Sequence, residues 1–524
     1  MPLTSRWAAP LAGVAAVGFA VGLGELTAAL LAPASSPISV VGATLIQLAP
    51  PWAVDAAIAL FGTADKIALA VGVIVALLAL AALFGILEVR KPPVGAVLIV
   101  AVGVGVAMLS MTKADANQFS WAPSLVAGAA GFTGMRFLVS KLRRWQSDAT
   151  ARSAELAGAS TLAPVSPSAS RRQFLVASGV AFGLGVLASI GSAAIGASTK
   201  VVDTIRTALR LPTPAVVAAP IPAGAELGLP GLTSLVTPNT AFFRIDTALV
   251  VPQIDPATWS LRIHGLVENE VTITWDELLA LPLEEHWVTL ACVSNPIGGD
   301  LIGNAKWLGY PIRELLARAK PTAEADMVLS RSIDGFTASS PLEALTDPGR
   351  DAILAVGMNG EPLPAQHGFP VRMVVPGLFG YVSATKWVTE LEVTRFDRVT
   401  AYWTDRGWSD RGPTKLHSRI DVPRQGDQVA AGEQVIAGVA WHQHTGVAGV
   451  EVQVDDGPWM PATLAPAISG DTWVQWSMPW AAPSGESTLR CRATSLDGEV
   501  QTSEFAPPHP DGSTGWHERR VTVG

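Results

Sequence analysis

Apolar residues dominate the first 200 positions, whereas the rest of the chain alternates short apolar and polar stretches. A helix needs about 20 apolar residues to cross a bilayer core of ~30 Å. Five runs meet this requirement, at about 8–31, 65–88, 93–111, 120–140 and 173–197. The pattern therefore predicts an N-terminal α-helical transmembrane bundle.

A sixth apolar stretch, 38–62, differs from these five because Pro50-Pro51 and Asp55 interrupt it. Each half is too short to span a bilayer, so we interpret it as re-entrant or interfacial, with one kinked span as the alternative. Residues 1–144 are thus predicted to be a membrane domain with four transmembrane helices and this extra segment.

Charge divides the chain in the same way. Residues 1–200 hold 13 basic and 7 acidic side chains, and the remainder holds 23 basic and 37 acidic ones. Basic residues follow the second and fourth spans (Arg90-Lys91, Lys141, Arg143-Arg144), which puts the N-terminus in the cytoplasm and the C-terminal half outside the bacterial cell membrane. The acidic C-terminal half argues against nucleic-acid binding.

Residues 145–170 are rich in Ala, Ser, Thr and Pro, and we predict a flexible cytoplasmic linker. Ser170-Arg171-Arg172-Gln173-Phe174-Leu175 then resembles a twin-arginine export signal, and 171–200 would be this signal with the fifth transmembrane helix, kept as an anchor. Alternatively, the arginines only follow the positive-inside rule. Residues 201–236, rich in Pro and Ala, are predicted to be an extended tether.

The remaining sequence predicts two further domains. Residues 237–396 mix short strands (259–263, 271–274, 286–291) with short helices (276–281, 311–319), which indicates an α+β domain. Residues 397–524 carry strand patterns at 435–441, 450–454, 473–478 and 488–494 with Asp-Gly turns, which favours an immunoglobulin-like β-sandwich.

Two features of 237–396 could carry chemistry. Cys292 ends a strand-like run and precedes a Gly-rich loop, so its thiol could reach a ligand; a buried core thiol is the alternative. His367, Arg372 and Lys386 lie within about 20 residues beside glycines, which suits an anion such as phosphate, or they are surface charges beside turns. His442 and His444 are better explained as solvated loop histidines than as metal ligands.

These residues occur in an order that resembles the sulfite oxidase family. Phe242–Asp246, the segment around Cys292, Met358–Arg372 and Lys386-Trp387 match motifs of its molybdopterin-binding domain, and a dimerisation domain follows. The resemblance covers 237–524. It implies the fold of that family, a molybdenum–molybdopterin cofactor and a homodimer.

The resemblance also implies roles for individual residues. Cys292 would be the thiolate ligand of molybdenum, and Arg244 would face either the cofactor or the substrate. The residues that would contact the cofactor are Phe243, Arg244, Asp246, Asp334, His367, Arg372, Ala384, Thr385 and Lys386.

The departures from the family bear on the substrate. A tyrosine of sulfite oxidases is matched by Phe336, and Asn295-Pro296 stands where an arginine is expected after the cysteine. Because sulfite is a dianion that needs concentrated positive charge, we expect another small substrate, undergoing sulfoxide reduction or small-anion oxidation by oxygen-atom transfer. A non-catalytic cell-surface module with this fold is the alternative.

The electrons of such a reaction would need a second molecule. No histidine or cysteine lies in residues 1–200, and the chain has no C-x-x-C-H motif. Histidine-ligated haem in the membrane helices is therefore excluded for this chain alone. We expect a separate electron-transfer partner, a cytochrome or a quinone system.

Overall fold

A computed structural model describes residues 7–48, 65–113, 116–157, 169–197, 200–248 and 250–524. Two compact units make up the chain. The first contains Met1–Val201 with Thr247–Val251, and the second contains Val202–Asp246 with Pro252–Gly524.

The first unit is helical. Its helices are α1 (Ala8–Leu31), α2 (Pro37–Leu48), α3 (Asp65–Arg90), α4 (Val94–Met111), α5 (Ala122–Ala157) and α6 (Ala169–Ala197). Five of them are long and apolar enough to cross a membrane: Ala8–Leu31, Val71–Arg90, Val94–Met111, Ala122–Ala151 and Ala169–Ala193. The prediction of five apolar helices is confirmed. Helix α2 covers the start of the proposed re-entrant segment, and 49–62, with Pro50-Pro51 and Asp55, lie outside the described residues.

Helix α1 is central to this unit, since it packs against α3, α5 and α6. The one fully buried carboxylate that we find in the described part of the unit is Glu88, on α3. Its Oε1 lies 3.0 Å from Arg136 Nη1 on α5, and its Oε2 accepts a hydrogen bond from Ala96 N at 2.9 Å. A buried charge is tolerated only when it is paired and hydrogen-bonded, and both conditions hold here.

The linker predicted over 145–170 needs correction. Helix α5 continues to Ala157, because Trp145 packs against Trp7 and Phe174 (ring centroids 6.0 and 5.8 Å) and Ser147 and Thr150 bond to carbonyls in the preceding turn. Residues 158–168 of the same segment lie outside the described residues.

The extended tether predicted over 201–236 is partly helical in the structure and is bonded to the rest of the second unit. Its first residues form helix α7 (Lys200–Ala208), and the rest lies against the second unit. Ala215 N donates to Leu283 O at 2.7 Å, and Leu227 N donates to Gln475 Oε1 at 2.7 Å. Proline-rich composition favours an extended chain, but these partners satisfy its backbone groups on the protein surface.

The α+β part of the second unit contains two sheets, one mixed and one antiparallel. One has the strand order β2-β1-β10-β5-β6 and the other β3-β4-β7-β8, with β9 paired to β7. The strands are β1 (Ser260–Gly265), β2 (Val271–Thr274), β3 (Glu284–Ala291), β4 (Ile302–Pro311), β5 (Met327–Ser332), β6 (Thr337–Pro341), β7 (Ile353–Met358), β8 (Glu361–Pro362), β9 (Arg372–Val374) and β10 (Val388–Thr394). Four short helices accompany them: α8 (Trp275–Leu279), α9 (Ile312–Ala319), α10 (Leu342–Thr346) and α11 (Gly380–Ser383).

Two further sheets form the C-terminal part. Their orders are β11-β13-β17-β16 and β12-β19-β18-β14-β15. The strands are β11 (His417–Val422), β12 (Gln428–Val429), β13 (Gly432–Trp441), β14 (Val447–Val454), β15 (Trp459–Pro461), β16 (Thr463–Leu464), β17 (Val474–Ala482), β18 (Gly485–Ser495) and β19 (His517–Val523). Both sheets contribute side chains to one core, which includes Trp476, Leu489 and Cys491. The strands at all four predicted positions are therefore present.

Residues 397–416 precede the first of these strands, and their earlier part contacts the α+β part, whereas Leu416 lies in the sandwich core. Tyr402 N donates to Thr337 Oγ1 at 3.0 Å, and Tyr381 OH donates to Ser409 O at 2.6 Å. The sandwich strands begin at His417, about 20 residues after the boundary predicted at 397.

Candidate active site

The thiol of Cys292 lies directly after the last residue of β3. Strand β3 is buried along its second half and ends at Ala291. Cys292 is 8% exposed, its N donates to Leu301 O at 2.9 Å, and its carbonyl accepts from Asn295 N at 3.1 Å. Burial raises the pKa of the thiol above its usual range, while hydrogen bonds from Ser294 act against this.

Helix α11 lies beside the end of β3. A Cβ built on Gly380 would lie 3.5 Å from Ala384 Cβ and 3.7 Å from Ala291 O. Ala384 O in turn accepts from Arg372 Nη2 at 3.4 Å. Helix α11 and Ala384 therefore lie between the strand that precedes Cys292 and the Arg372 guanidinium.

Arg372 is a buried guanidinium with backbone partners. It is 5% exposed, and its Nη1 and Nε donate to His367 O (3.1 Å) and Met373 O (3.3 Å). Its guanidinium lies 5.1 Å from the centre of the Trp307 ring. No ion pair joins Arg372 to a carboxylate of the described residues, and burial lowers its pKa to about 9. The site thus holds a positive charge without a compensating protein anion.

His367 is neutral at pH 7. Burial, then the charges of Arg372, Lys386 and Arg244, lower its pKa to about 4, against the hydrogen bond with Asn239. Its Nε2 lies 3.0 Å from Asn239 O, and a carbonyl can only accept, so Nε2 carries the proton. The other nitrogen, Nδ1, is left as an acceptor.

Lys386 joins this cluster through a buried ion pair. Its Nζ lies 2.5 Å from Asp246 Oδ2 and donates to Gln366 O at 3.1 Å. Arg244 Nε shares the same carboxylate oxygen at 2.9 Å, and its side chain is 38% exposed. Burial lowers the pKa of Lys386 to about 8, although Asp246 opposes this shift. Arg244 is therefore the cation of this group that solvent reaches most easily.

The other expected contact residues lie around this cluster. Thr385 is fully buried and bonds to Ser330, with 2.6 Å between the hydroxyl oxygens. Phe243 stacks on Phe242, with 5.1 Å between the ring centroids, and the Phe242 ring contacts the His367 ring edge-on. Asp334 is occupied in its own turn, where its Oδ1 accepts from Phe336 N at 3.2 Å. The structure thus brings Arg244, Asp246, His367, Arg372, Ala384 and Lys386 into one cluster, with Thr385 and Phe243 at its edge.

Sequence reasoning missed several residues that shape the site. Asn239 holds the His367 ring and Trp307 lies under the Arg372 guanidinium. Arg419 and Ser513, from the sandwich, bond to the loop after Cys292. The one sequence signal was Arg419-Ile420-Asp421, an arginine and an aspartate two residues apart on one side of a short strand.

The two loop histidines have different surroundings. His444 Nδ1 lies 3.3 Å from Asp471 Oδ1, as in an ordinary ion pair. His442 lies near Asp497 and Glu499, with ligand atoms within 4.8 Å of one another, but both acids are exposed and this candidate cation site is empty.

The molybdopterin-binding expectation has support from known proteins. The family model of the oxidoreductase molybdopterin binding domain matches residues 248–403. Human mitochondrial sulfite oxidase is 30% identical over 339 residues, which is 55% of this chain and 62% of that protein. The uncharacterized oxidoreductase YuiH of Bacillus subtilis is 30% identical over 189 residues, covering 35% of this chain and 91% of YuiH. Sulfane dehydrogenase SoxCD of Paracoccus pantotrophus aligns with a TM-score of 0.48 at 23% identity, over 56% of this chain and 84% of that one.

The chain spans just under two thirds of the human enzyme, but nearly all of YuiH lies within the match. The family model covers Cys292, His367, Arg372 and Lys386, whereas Arg244 and Asp246 precede the matched residues. This chain belongs to the sulfite oxidase family of molybdopterin-dependent oxidoreductases.

Proposed function

We propose that this chain is a membrane-anchored oxidoreductase in which Cys292 is the thiolate ligand of molybdenum. In this proposal Arg372 and Lys386 hold the phosphate end of the molybdopterin, and His367 contacts its pterin part. The observation that carries it is the buried Arg372 guanidinium, which lacks a carboxylate partner in the described residues. A buried unpaired charge is costly, and a bound dianion would compensate it.

The donor set fits the cofactor in two further ways. Lys386 and Arg372 offer N–H donors, while neutral His367 offers an acceptor at Nδ1 for a pterin N–H. Cys292 offers a soft sulfur donor, which suits molybdenum beside the dithiolene. When bound, the cofactor supplies two-electron oxygen-atom transfer, and the chain binds it, orients it and controls access to it.

The cysteine role is tested by comparing Cys292→Ser with Cys491→Ser in the full chain. We expect Cys292→Ser to lose the thiolate-to-molybdenum absorption band and Cys491→Ser to keep it, since Cys491 is fully buried in the sandwich core. Metal analysis, pterin fluorescence and absorption spectra of the purified proteins give the result. Wild-type protein without pterin, or Cys292→Ser with an unchanged absorption band, would contradict the proposal.

We also propose a small substrate other than sulfite. Asn295, at the position of a family arginine, uses its Oδ1 to accept from Leu301 N at 3.0 Å and so closes the loop. Phe336 packs on Tyr402 with 5.8 Å between rings and carries no hydroxyl. Sulfoxide reduction and oxidation of a less charged anion suit this site better. A redox-dye assay of the loaded chain tests this, and efficient turnover of sulfite would refute it.

For the location, we propose a multi-pass protein of the bacterial cell membrane with its catalytic half outside the cytoplasm. Support comes from the five apolar helices and from the packing of the twin-arginine region, where Phe174 is fully buried and Arg171 lies 5.9 Å from the Trp145 ring. These contacts favour a retained anchor.

Replacing Arg171-Arg172 by two lysines tests export. We expect the catalytic half to stay in the cytoplasm, protected from protease added to intact spheroplasts. Arg143-Arg144→Lys-Lys is the matched control and should remain accessible. Equal accessibility of both variants would refute export by the twin-arginine route.

Three remaining parts of the proposal concern assembly. The C-terminal sandwich is immunoglobulin-like, the chain forms a homodimer through it, and a separate cytochrome or quinone system exchanges the electrons. The two-sheet core supports the first part. Sedimentation of the detergent-solubilised chain tests the dimer, since a monomer at micromolar concentration would exclude it.

A further inference from the structure

The loop after Cys292 is closed by its own hydrogen bonds. Asn295 N donates to Cys292 O, and Cys292 N donates to Leu301 O. The carboxamide of Asn295 accepts from Leu301 N at 3.0 Å. The position of the thiol therefore depends on where the Asn295–Leu301 segment lies.

The C-terminal sandwich holds that segment from the other side. Ser513 Oγ donates to Asn295 O at 2.8 Å, and Arg419 Nη1 donates to Gly299 O at 2.6 Å. Gly298 has φ +75°, and a Cβ built on it would lie 2.2 Å from His517 Nε2. Two sandwich residues thus bond to the loop, at Asn295 and Gly299, and His517 lies where a Cβ on Gly298 would have to be.

Arg419 is itself rigidly held. It is 5% exposed, and its Nε lies 2.6 Å from Asp421 Oδ1. Its Nη2 donates to Thr233 Oγ1 at 2.8 Å, and Asp421 Oδ2 accepts from Thr233 N at 3.2 Å. Because the guanidinium is planar with fixed donor directions, these bonds determine where Nη1 points.

We propose that Arg419 and Ser513 are positioning residues that hold the Cys292 thiol in place through the Asn295–Gly299 segment. In this proposal the sandwich forms its own core and also helps to position the metal ligand. This inference rests on the proposed role of Cys292 as the molybdenum ligand.

The test uses the full chain in detergent with three variants. Arg419→Lys keeps the charge and loses the fork, and Ser513→Ala removes one neutral donor. Arg490→Lys is the control, since Arg490 pairs with Glu518 (2.9 Å) in the other sheet of the sandwich, which does not contain Arg419. The first readout is the alkylation rate of Cys292 in cofactor-free protein, mapped by peptide mass spectrometry with Cys491 as internal reference. The second is the thiolate-to-molybdenum absorption of loaded protein.

We expect Arg419→Lys to raise the Cys292 alkylation rate about tenfold, because a hydrogen bond from a charged donor to the loop is lost. Ser513→Ala should raise it several-fold, and Arg490→Lys should leave it unchanged. Arg419→Lys and Ser513→Ala should both also alter the thiolate-to-molybdenum absorption band. If the Arg419→Lys variant unfolds, Cys491 will be alkylated as well, and the Ser513→Ala variant then tests the inference. Wild-type rates in both loop variants would overturn the inference, whereas wild-type protein without molybdenum would refute only the proposed function.

Discussion

Lys386 and Asp246 form a buried ion pair across 140 residues of sequence, with 2.5 Å between Nζ and Oδ2. Their side chains are 10% and 4% exposed. The same carboxylate also holds Arg244, so one acid fixes two cations at the site.

Asp246→Asn should destabilise the second unit. Removing one partner of a buried ion pair leaves the other charge uncompensated, which costs about 3–5 kcal/mol. Denaturant titration of the solubilised chain, followed by tryptophan fluorescence, measures this. Asp397→Asn is the control, because Asp397 pairs with Arg395 at an exposed position and should change little. Equal effects of both substitutions would contradict the role of Asp246.

Anion affinity of the cofactor-free chain should fall above about pH 8. The pKa of Lys386 is lowered to about 8, mainly by burial, and a neighbouring anion stabilises the protonated amine. Above that pH a proton is taken up on binding, so the affinity decreases by up to about tenfold per pH unit. Calorimetry with inorganic phosphate as the probe measures this. Lys386→Met should bind more weakly and lose the decrease that begins near pH 8, which leaves only the decrease above pH 9 from Arg372, whose pKa is about 9. A flat wild-type profile would argue against Lys386 as an anion contact.

In the helical unit, Arg136→Gln should be more harmful than Glu88→Gln. Glu88 is fully buried and keeps only the hydrogen bond from Ala96 N when Arg136 is removed, whereas the Arg136 side chain is 48% exposed and can be solvated when Glu88 is removed. Thermal unfolding in detergent gives the order of the two variants. The reverse order would contradict this account of the pair.

Gly298→Ala should destabilise the chain more than Gly426→Ala. Both glycines have similar positive φ, +75° and +77°, but a Cβ at Gly426 meets nothing within 4 Å. Each substitution carries a backbone cost of ~1–2 kcal/mol. The added methyl at Gly298 also meets the His517 ring, at a further cost of about 1–3 kcal/mol. Denaturant titrations measure the free energy of unfolding of the two variants, and their difference gives the cost of the contact with His517. Equal losses of unfolding free energy would show that His517 moves aside freely.

Local patterns along the sequence determined much of this architecture. Apolar runs predicted the five candidate membrane spans, since a helix in a bilayer must be apolar along its whole length. Alternation predicted β2 at its observed bounds and placed Cys292 directly after β3. The cation cluster was also identified from spacing, because His367, Arg372 and Lys386 lie within 20 residues.

Only the tertiary structure decided which distant residues complete the site. Three hydrogen bonds join positions more than 100 residues apart: Asn239 with His367, Asp246 with Lys386, and Arg419 with Gly299. Other long-range contacts, such as Leu227 N to Gln475 Oε1, hold residues 209–236 in the second unit, where composition predicts only an extended tether. Composition and periodicity report how a segment meets water, while these contacts depend on how separate segments pack together. The sequence therefore predicted many of the elements and singled out Cys292, and packing decided which distant residues bond to the loop after it.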